Sequence, residues 1–448
     1  MLLASLGTSI ANVGLPAIAE AFGASFQQVQ WVVLAYLLAV TALIVGAGRL
    51  GDMFGRRRLL LAGIGLFTSA SALCAAAPGL WLLVAARGAQ GLGAALMMAL
   101  TIASVAEIVP KARTGRAMGL LGTLSATGTA LGPSLGGLLV AGPGWRALFL
   151  ANLPLGIAAF LLAWLHLPAD RSGERPERFD GLGTLLLALS LTFYALAMTF
   201  GRGGFGPVNA ALALAAAGGL ALFALAELRV ASPLIRPAMF GDRRLSASLA
   251  ESGLVAALMM ATLVVGPFYL SRGLGLAPGQ VGLVLSVGPL VAAFAGVPAG
   301  AVADRFGTGR SVLAGLGAVA AGCLLLALLP TSLGIAGYIA PMTVLTAGYA
   351  LFQTANNSAV MADVGADRRG LFSGLLNLSR NLGLITGASA MGAVFAAASG
   401  ADDVAAAAPP AVAAGLRATF AVGAVLALLA IAIESAAGPR SSTGPARI

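Results

Sequence analysis

Apolar runs of about 20 residues follow one another along the whole chain, each long enough to cross the hydrocarbon core of a bilayer as a helix. There are fourteen, beginning with 1–19, 30–48, 59–77 and 80–106 and ending with 371–395 and 413–435. Shared among fourteen runs, 448 residues leave 32 for each span and its connection, and no room for a soluble domain. Charged residues make up 9% of the chain, against about 25% in soluble domains. The sequence therefore predicts an all-α, multi-pass membrane protein.

The few charges are unevenly placed. The connections on one side hold Arg146, Arg202 and Arg272, with Arg417 nearby, whereas those on the other side and the C-terminal tail hold twenty Lys and Arg residues. Basic loops stay in the cytoplasm, so both termini are expected there. The formal net charge of +10 then reflects topology and not nucleic-acid binding. Met1 enters an apolar run with no basic segment and no cleavage site, which reads as a first helix lacking its cytoplasmic flank, not as a signal peptide. Cys74 and Cys323 lie in apolar runs without metal-ligand neighbours, as buried free thiols do, and neither metal nor cofactor is expected.

Two charged stretches repeat. GRLGDMFGRRR, residues 48–58, and GAVADRFGTGR, residues 300–310, align at an offset of 252: Gly48 with Gly300, Asp52 with Asp304, Gly55 with Gly307, Arg58 with Arg310. The fifth run carries Gly119, Gly128 and Gly132, and the thirteenth carries Gly374, Gly383 and Gly387 at the same spacing and an offset of 255. The pattern predicts two parallel six-helix halves, residues 1–167 and 245–448. A helix pair with flanking cytoplasmic loops, residues 168–244, is inserted between them.

With RGAQGLGAA at 87–95, SIANVGLP in the first run and Trp145-Arg146 followed by Asn152-Leu153-Pro154, the chain resembles the fourteen-helix drug:proton antiporter family of the major facilitator superfamily. That resemblance implies a bacterial inner-membrane exporter of small organic compounds, working as a monomer by alternating access and proton antiport. It implies a cytoplasmic latch at Asp52, with Gly48, Gly55, Arg56 and, in the second half, Asp304. Its antiporter motif falls on Gly119, Gly128, Gly132, Pro133, Gly136 and Gly137. The rivals are an uptake permease, a proton-independent exporter of a lipid or of an anionic or neutral metabolite, and an intramembrane enzyme. One histidine and no HExxH pattern argue against the enzyme.

Ionisable residues within a span mark function by default. Arg87 shares a face with Gln90, and its repeat equivalent is Met342, so the fold does not demand a charge there. Arg380 is flanked by Asn377 and Asn381, which makes a structural network as good a reading as a substrate contact. Glu251 is either a proton site or a shallow partner for Arg243 and Arg244. The family's acid in the first helix is absent, because position 7 is glycine; a basic interior suits neutral or anionic substrates. Asn12, Ser9, Tyr36, Asn152, Gln353, Asn356 and Asn357 could line a cavity, although each alone is more often a helix–helix hydrogen bond. A bulky residue at Gly132, next to Pro133, is expected to do more harm than one at Gly387.

Overall fold

A computed structural model describes residues 1–108, 121, 124, 127–128, 131–168, 181–199, 206–229, 241–362, 369–400 and 407–438. The helices are α1 (Leu2–Val13), α2 (Leu15–Phe22), α3 (Phe26–Phe54), α4 (Arg56–Ala76), α5 (Leu80–Ile108) and a short α6 (Leu131–Ala141). There follow α7 (Ala147–Leu150), α8 (Asn152–His166), α9 (Gly181–Thr199), α10 (Pro207–Glu227) and α11 (Arg243–Phe268), which runs into a π-helical turn at Tyr269–Gly273. The last are α12 (Pro278–Phe306), α13 (Thr308–Leu328), α14 (Gly334–Ala362), α15 (Arg369–Ala398) and α16 (Pro409–Ala436).

Among the described residues eleven helices are long and apolar enough to cross a membrane, or twelve if α1 and α2 count as one bent span. Residues 131–141 and 181–194 form shorter apolar helices. The expected fifth run, 117–141, lies partly outside the described residues. The first run is not the single helix expected over 1–19: it bends by 58° between α1 and α2. Pro16 lacks the N–H that would bond the Asn12 carbonyl, and its ring crowds that carbonyl. Elsewhere the local chemistry sets the ends as the sequence requires. Ser25 and Gln28 cap α3 reciprocally, each side chain accepting from the other's backbone N–H, and Asp242 caps α11 by accepting from Arg244 and Leu245.

The chain divides into two compact units, one of residues 1–236 with 277–282 and one of 237–276 with 283–448. In the first, α3, α4 and α5 pack together, α4 carries α8, and the α9–α10 pair lies against α3. Phe67, Leu96 and Leu100 lie at the centre of its core. Large apolar side chains stay exposed on α8 and α10, among them Ile157, Leu162, Leu165, Leu214 and Leu222. In water such a surface would aggregate, whereas acyl chains solvate it. In the second unit α11 packs along α15, α13 along α14, and α16 against both α11 and α13. Val255, Phe352 and Ala430 belong to one core cluster there.

The sequence repeat becomes a shared contact. A β-carbon at Gly93 would sit 2.7 Å from the Gly63 carbonyl oxygen, and one at Gly348 would sit 2.8 Å from that of Gly315. Gly63 to Gly315 is the offset of 252, and Gly93 to Gly348 is the offset of 255. Each unit thus joins two helices backbone to backbone at the same place, as small residues allow in membranes. The elbows repeat as well. Gly55 ends α3 and opens α4 with φ +95°, and Gly307 separates α12 from α13 with φ +85°. Only glycine adopts that backbone without strain.

Candidate functional site

Arg87 is the largest fully buried side chain of the first unit, with 1% of its surface exposed. Its Nε donates to the Val32 carbonyl at 2.9 Å, and its Nη1 to the Gly7 carbonyl at 3.1 Å and to Gln90 Oε1 at 2.5 Å. Gln90 Nε2 in turn donates to Ser71 Oγ at 2.6 Å. The guanidinium carbon lies 4.3 Å from the ring centre of Tyr36 and 5.9 Å from that of Phe149. Tyr36 completes the network by donating to the Ala4 carbonyl at 2.9 Å. One cation therefore ties α1, α3, α4, α5 and α7 with carbonyl oxygens and ring faces alone. Its Nη2 has no hydrogen-bond partner among the described residues.

The glycine at position 7 acquires a physical reason. A β-carbon there would lie 2.8 Å from Phe67 Cζ and 3.7 Å from the Tyr36 hydroxyl. Phe67 fills the space that an acidic side chain would need, and the backbone of Gly7 supplies the acceptor instead.

The other polar residues expected to line a cavity in this unit bond partly within their own helices. Asn12 Nδ2 donates to the Thr8 carbonyl and Asn152 Nδ2 to that of Leu148, both residues are buried, and the Oδ1 of each has no hydrogen-bond partner among the described residues. Ser9 Oγ bonds to Ser5, Leu6 and Gly128 carbonyls. The antiporter-motif glycines face α1. Side chains at Gly128, Gly132 and Gly136 would collide with the Leu2 carbonyl, with Ser9, and with the Ile10 carbonyl. Pro133 and Gly137 are buried, and Gly119 lies outside the described residues.

Of the latch residues, Asp52 sits in the last turn of α3, but its side chain, like the surroundings of Gly48, lies outside what is described. Asp304 is exposed on α12. Arg56 opens α4, and its neighbour Arg57 donates from Nη2 to the Trp164 carbonyl at 2.6 Å. That carbonyl is one of the orphan acceptors at the end of α8, so Arg57 caps that helix.

In the second unit a cleft opens between α11, α14 and α15. It encloses about 540 Å³, including the part open to solvent, and is lined by Ser252, Tyr349, Phe352, Gln353, Asn357, Met361, Leu376, Asn377 and Arg380. Tyr349, Gln353, Asn357 and Met361 follow one another at four-residue steps and so form one row along α14. The structure brings Gln353, Asn357 and Arg380 together as the sequence allowed. It removes Asn356, one residue from Asn357, to the buried side, where its Nδ2 donates to the Ser248 carbonyl at 3.1 Å and to Ser252 Oγ at 3.0 Å. Ser379 Oγ donates to the Leu249 carbonyl, and Gly383 and Gly387 lie against the backbone of Gly253 and Ala257. These contacts pack α11 against α14 and α15 beside the cleft.

Glu251 is fully buried and does not line the cleft. Arg243 and Arg244, two turns away, are exposed. Glu251 is not the only buried acid. Glu227 of α10 and Glu434 of α16 are 2% and 5% exposed. Both stand one residue inside the ends of their apolar runs, the signal that could have revealed them. Glu434 lies one turn beyond Ala430, and Glu251 one turn before Val255, two members of one core cluster. Among the described residues no group of three His, Cys, Asp or Glu residues could hold a metal. Cys74 and Cys323 are free and buried.

Two helical units built on one repeated plan, with buried polar joints and a polar cleft inside membrane-spanning helices, have the build of a multi-pass membrane transporter. The chain belongs to the Major Facilitator Superfamily, which it matches over residues 1–388 and 252–446, and within it to the drug:proton antiporter type. It is 33% identical over 403 residues to the multidrug resistance protein Stp of Mycobacterium tuberculosis, covering 88% of this chain and 73% of that protein. It is 31% identical over 394 residues to the riboflavin transporter RibZ of Clostridioides difficile, covering 88% and 86%. Its fold is similar to the crystal structure of a bacterial homologue of the human lysosomal transporter Spinster, with a TM-score of 0.70, 17% identity, and 97% and 94% of the two chains covered.

Proposed function

We propose that the protein exports small organic compounds across the bacterial inner membrane by alternating access, driven by proton antiport and acting as a monomer with both termini in the cytoplasm. The observation that carries this reading is the cleft of the second unit, where hydrogen-bonding side chains meet an apolar wall within spanning helices, as small-molecule sites do. The name of Stp as a multidrug resistance protein agrees with it. Eleven long helices, the bent α1–α2 pair and the two shorter apolar helices support a count of fourteen spans. The halves are residues 1–167 and 245–448, with 168–244 inserted. Asp52 is assigned to the latch, and Arg87 with Gln90 and Tyr36 to a joint whose integrity the transport cycle needs.

Proton coupling is assigned to Glu251, the acid buried most completely among the described residues, with Glu434 as the second buried acid of that unit. Protein reconstituted in liposomes is expected to release protons when an exported substrate is added, and Glu251→Gln to abolish the release. Unchanged release from the variant would move the proton site elsewhere. The second reading, a proton-independent exporter of a lipid or of an anionic or neutral metabolite, is favoured by one observation, the closed position 7. Substrate efflux from wild-type liposomes without any proton movement would establish it. A susceptibility panel on a strain lacking the gene tests export itself.

A further inference from the structure

Resting on the exporter reading, we propose that the cleft between α11, α14 and α15 is an anion site: it binds the carboxylate of an amphipathic aromatic acid at Arg380 and the ring of that acid against Phe352, Leu376 and Met361. Arg380 is the only charged residue among the nine that line the cleft, and none of the nine is acidic. The amide and hydroxyl groups beside it, Gln353, Asn357, Asn377 and Ser252, both donate and accept hydrogen bonds. They adapt to a ligand without choosing the sign of its charge. Arg380 makes that choice.

Arg87 and Arg380 differ in how their donors are used. Arg87 places Nε and Nη1 on protein acceptors of α1, α3 and α5 and leaves Nη2 without one among the described residues. Arg380 has a buried Nε with no hydrogen-bond partner among the described residues. The packing of α15 on α11 does not need this arginine, because Ser379 and the glycines at 383 and 387 make that contact. A buried donor without an acceptor is costly, and a guanidinium fork fits a carboxylate through two parallel hydrogen bonds. A single positive charge matches a single negative one.

The test uses three probes that share one ring system: 2-naphthoate, 2-naphthamide and 2-naphthylmethylammonium. Their binding to the full-length protein in lipid nanodiscs is measured by titration calorimetry at neutral pH. The carboxylate is expected to bind tenfold or more tightly than the amide, as hydrogen bonds to a charged group imply, with the ammonium weakest. Arg380→Gln should remove the advantage of the carboxylate by weakening its binding far more than that of the amide, and Arg380→Lys should retain part of that advantage. Matching melting temperatures show that the variants are folded. The proposal is overturned if the wild type does not prefer the carboxylate, if Arg380→Gln weakens carboxylate and amide alike, or if no probe binds. Failure of the exporter reading looks different. Selective carboxylate binding without efflux of any compound from cells would sink export and leave the anion site standing, whereas efflux by a protein that binds the carboxylate no more tightly than the amide would do the reverse.

Discussion

Arg87 Nη1 donates to the carbonyl oxygen of Gly7, 80 residues earlier in the chain, so the buried cation of α5 is held by the backbone of the first helix and not by an acid. Arg87→Met removes the donor of the Gly7 and Val32 carbonyls and of Gln90, and a buried acceptor left unsatisfied costs about 1–3 kcal/mol. The variant should therefore still insert but melt below the wild type by about that amount, and lose export, because the joint between α1, α3 and α5 is gone. Thermal melting of the purified variant beside efflux at equal expression separates the two effects. Aggregation or failure to insert would make the arginine a folding element only.

Position 7 offers a converse experiment. An aspartate there would press on Phe67, whose ring lies 2.8 Å from the new β-carbon, and crowding of this kind costs about 1–3 kcal/mol. Gly7→Asp alone should lower the melting temperature. Gly7→Asp combined with Phe67→Ala should recover part of the loss relative to Phe67→Ala alone, since the carboxylate then has room beside the Arg87 guanidinium. A double-mutant cycle reads the coupling. Additive losses would mean that the aspartate does not reach the cation.

The glycines of the repeated motif meet different obstacles. A β-carbon at Gly387 would collide with three backbone atoms of Ala257, the carbonyl oxygen and, at 2.7 Å, the carbonyl carbon and Cα, whereas one at Gly132 meets the Ser9 hydroxyl, which can rotate, with Ser9 Cβ at 2.7 Å and the Ile10 nitrogen at 3.0 Å. Gly387→Ala should therefore cost more stability than Gly132→Ala, by about 1–3 kcal/mol. Denaturation of both variants in the same detergent checks the order. Equal losses would mean that α11 and α15 can separate as easily as α1 and α6.

Gly55 and Gly307 should respond alike to substitution. Their φ and ψ of 95° and 126°, and of 85° and 152°, lie where a side chain strains the backbone by about 1–3 kcal/mol. Gly55→Ala and Gly307→Ala should each lower stability by that amount, whatever Asp52 or Asp304 does. A loss at one elbow only would mean that the strain is relieved by neighbours at the other.

The fold was legible wherever periodicity or an internal offset carried it. The offsets of 252 and 255 come from charged and glycine-rich stretches, yet they land on Gly63 with Gly93 and on Gly315 with Gly348, residues outside those stretches. The site was less legible. Asn356 and Asn357 are the same residue type in adjacent positions, about 100° apart around α14; one is buried against α11 and the other lines the cleft, and only packing distinguishes them. Glu227 and Glu434 escaped notice because an acid at the edge of an apolar run reads as a boundary. The bend after α1 was readable from Pro16, but its size was not.

Two arginines of the first unit also differ in when their partners are made. The acceptors of Arg87 at Gly7 and Val32 precede it by 80 and 55 residues, so they are already synthesised when α5 leaves the ribosome, and its charge can pass from water to carbonyl oxygens without a solitary stay in lipid. Arg57 has the opposite history. The Trp164 carbonyl that it caps is made 107 residues later, about 5–20 s at ordinary elongation rates. During that interval the Trp164 carbonyl does not yet exist, so the cap that Arg57 places on α8 forms only after both helices have been made.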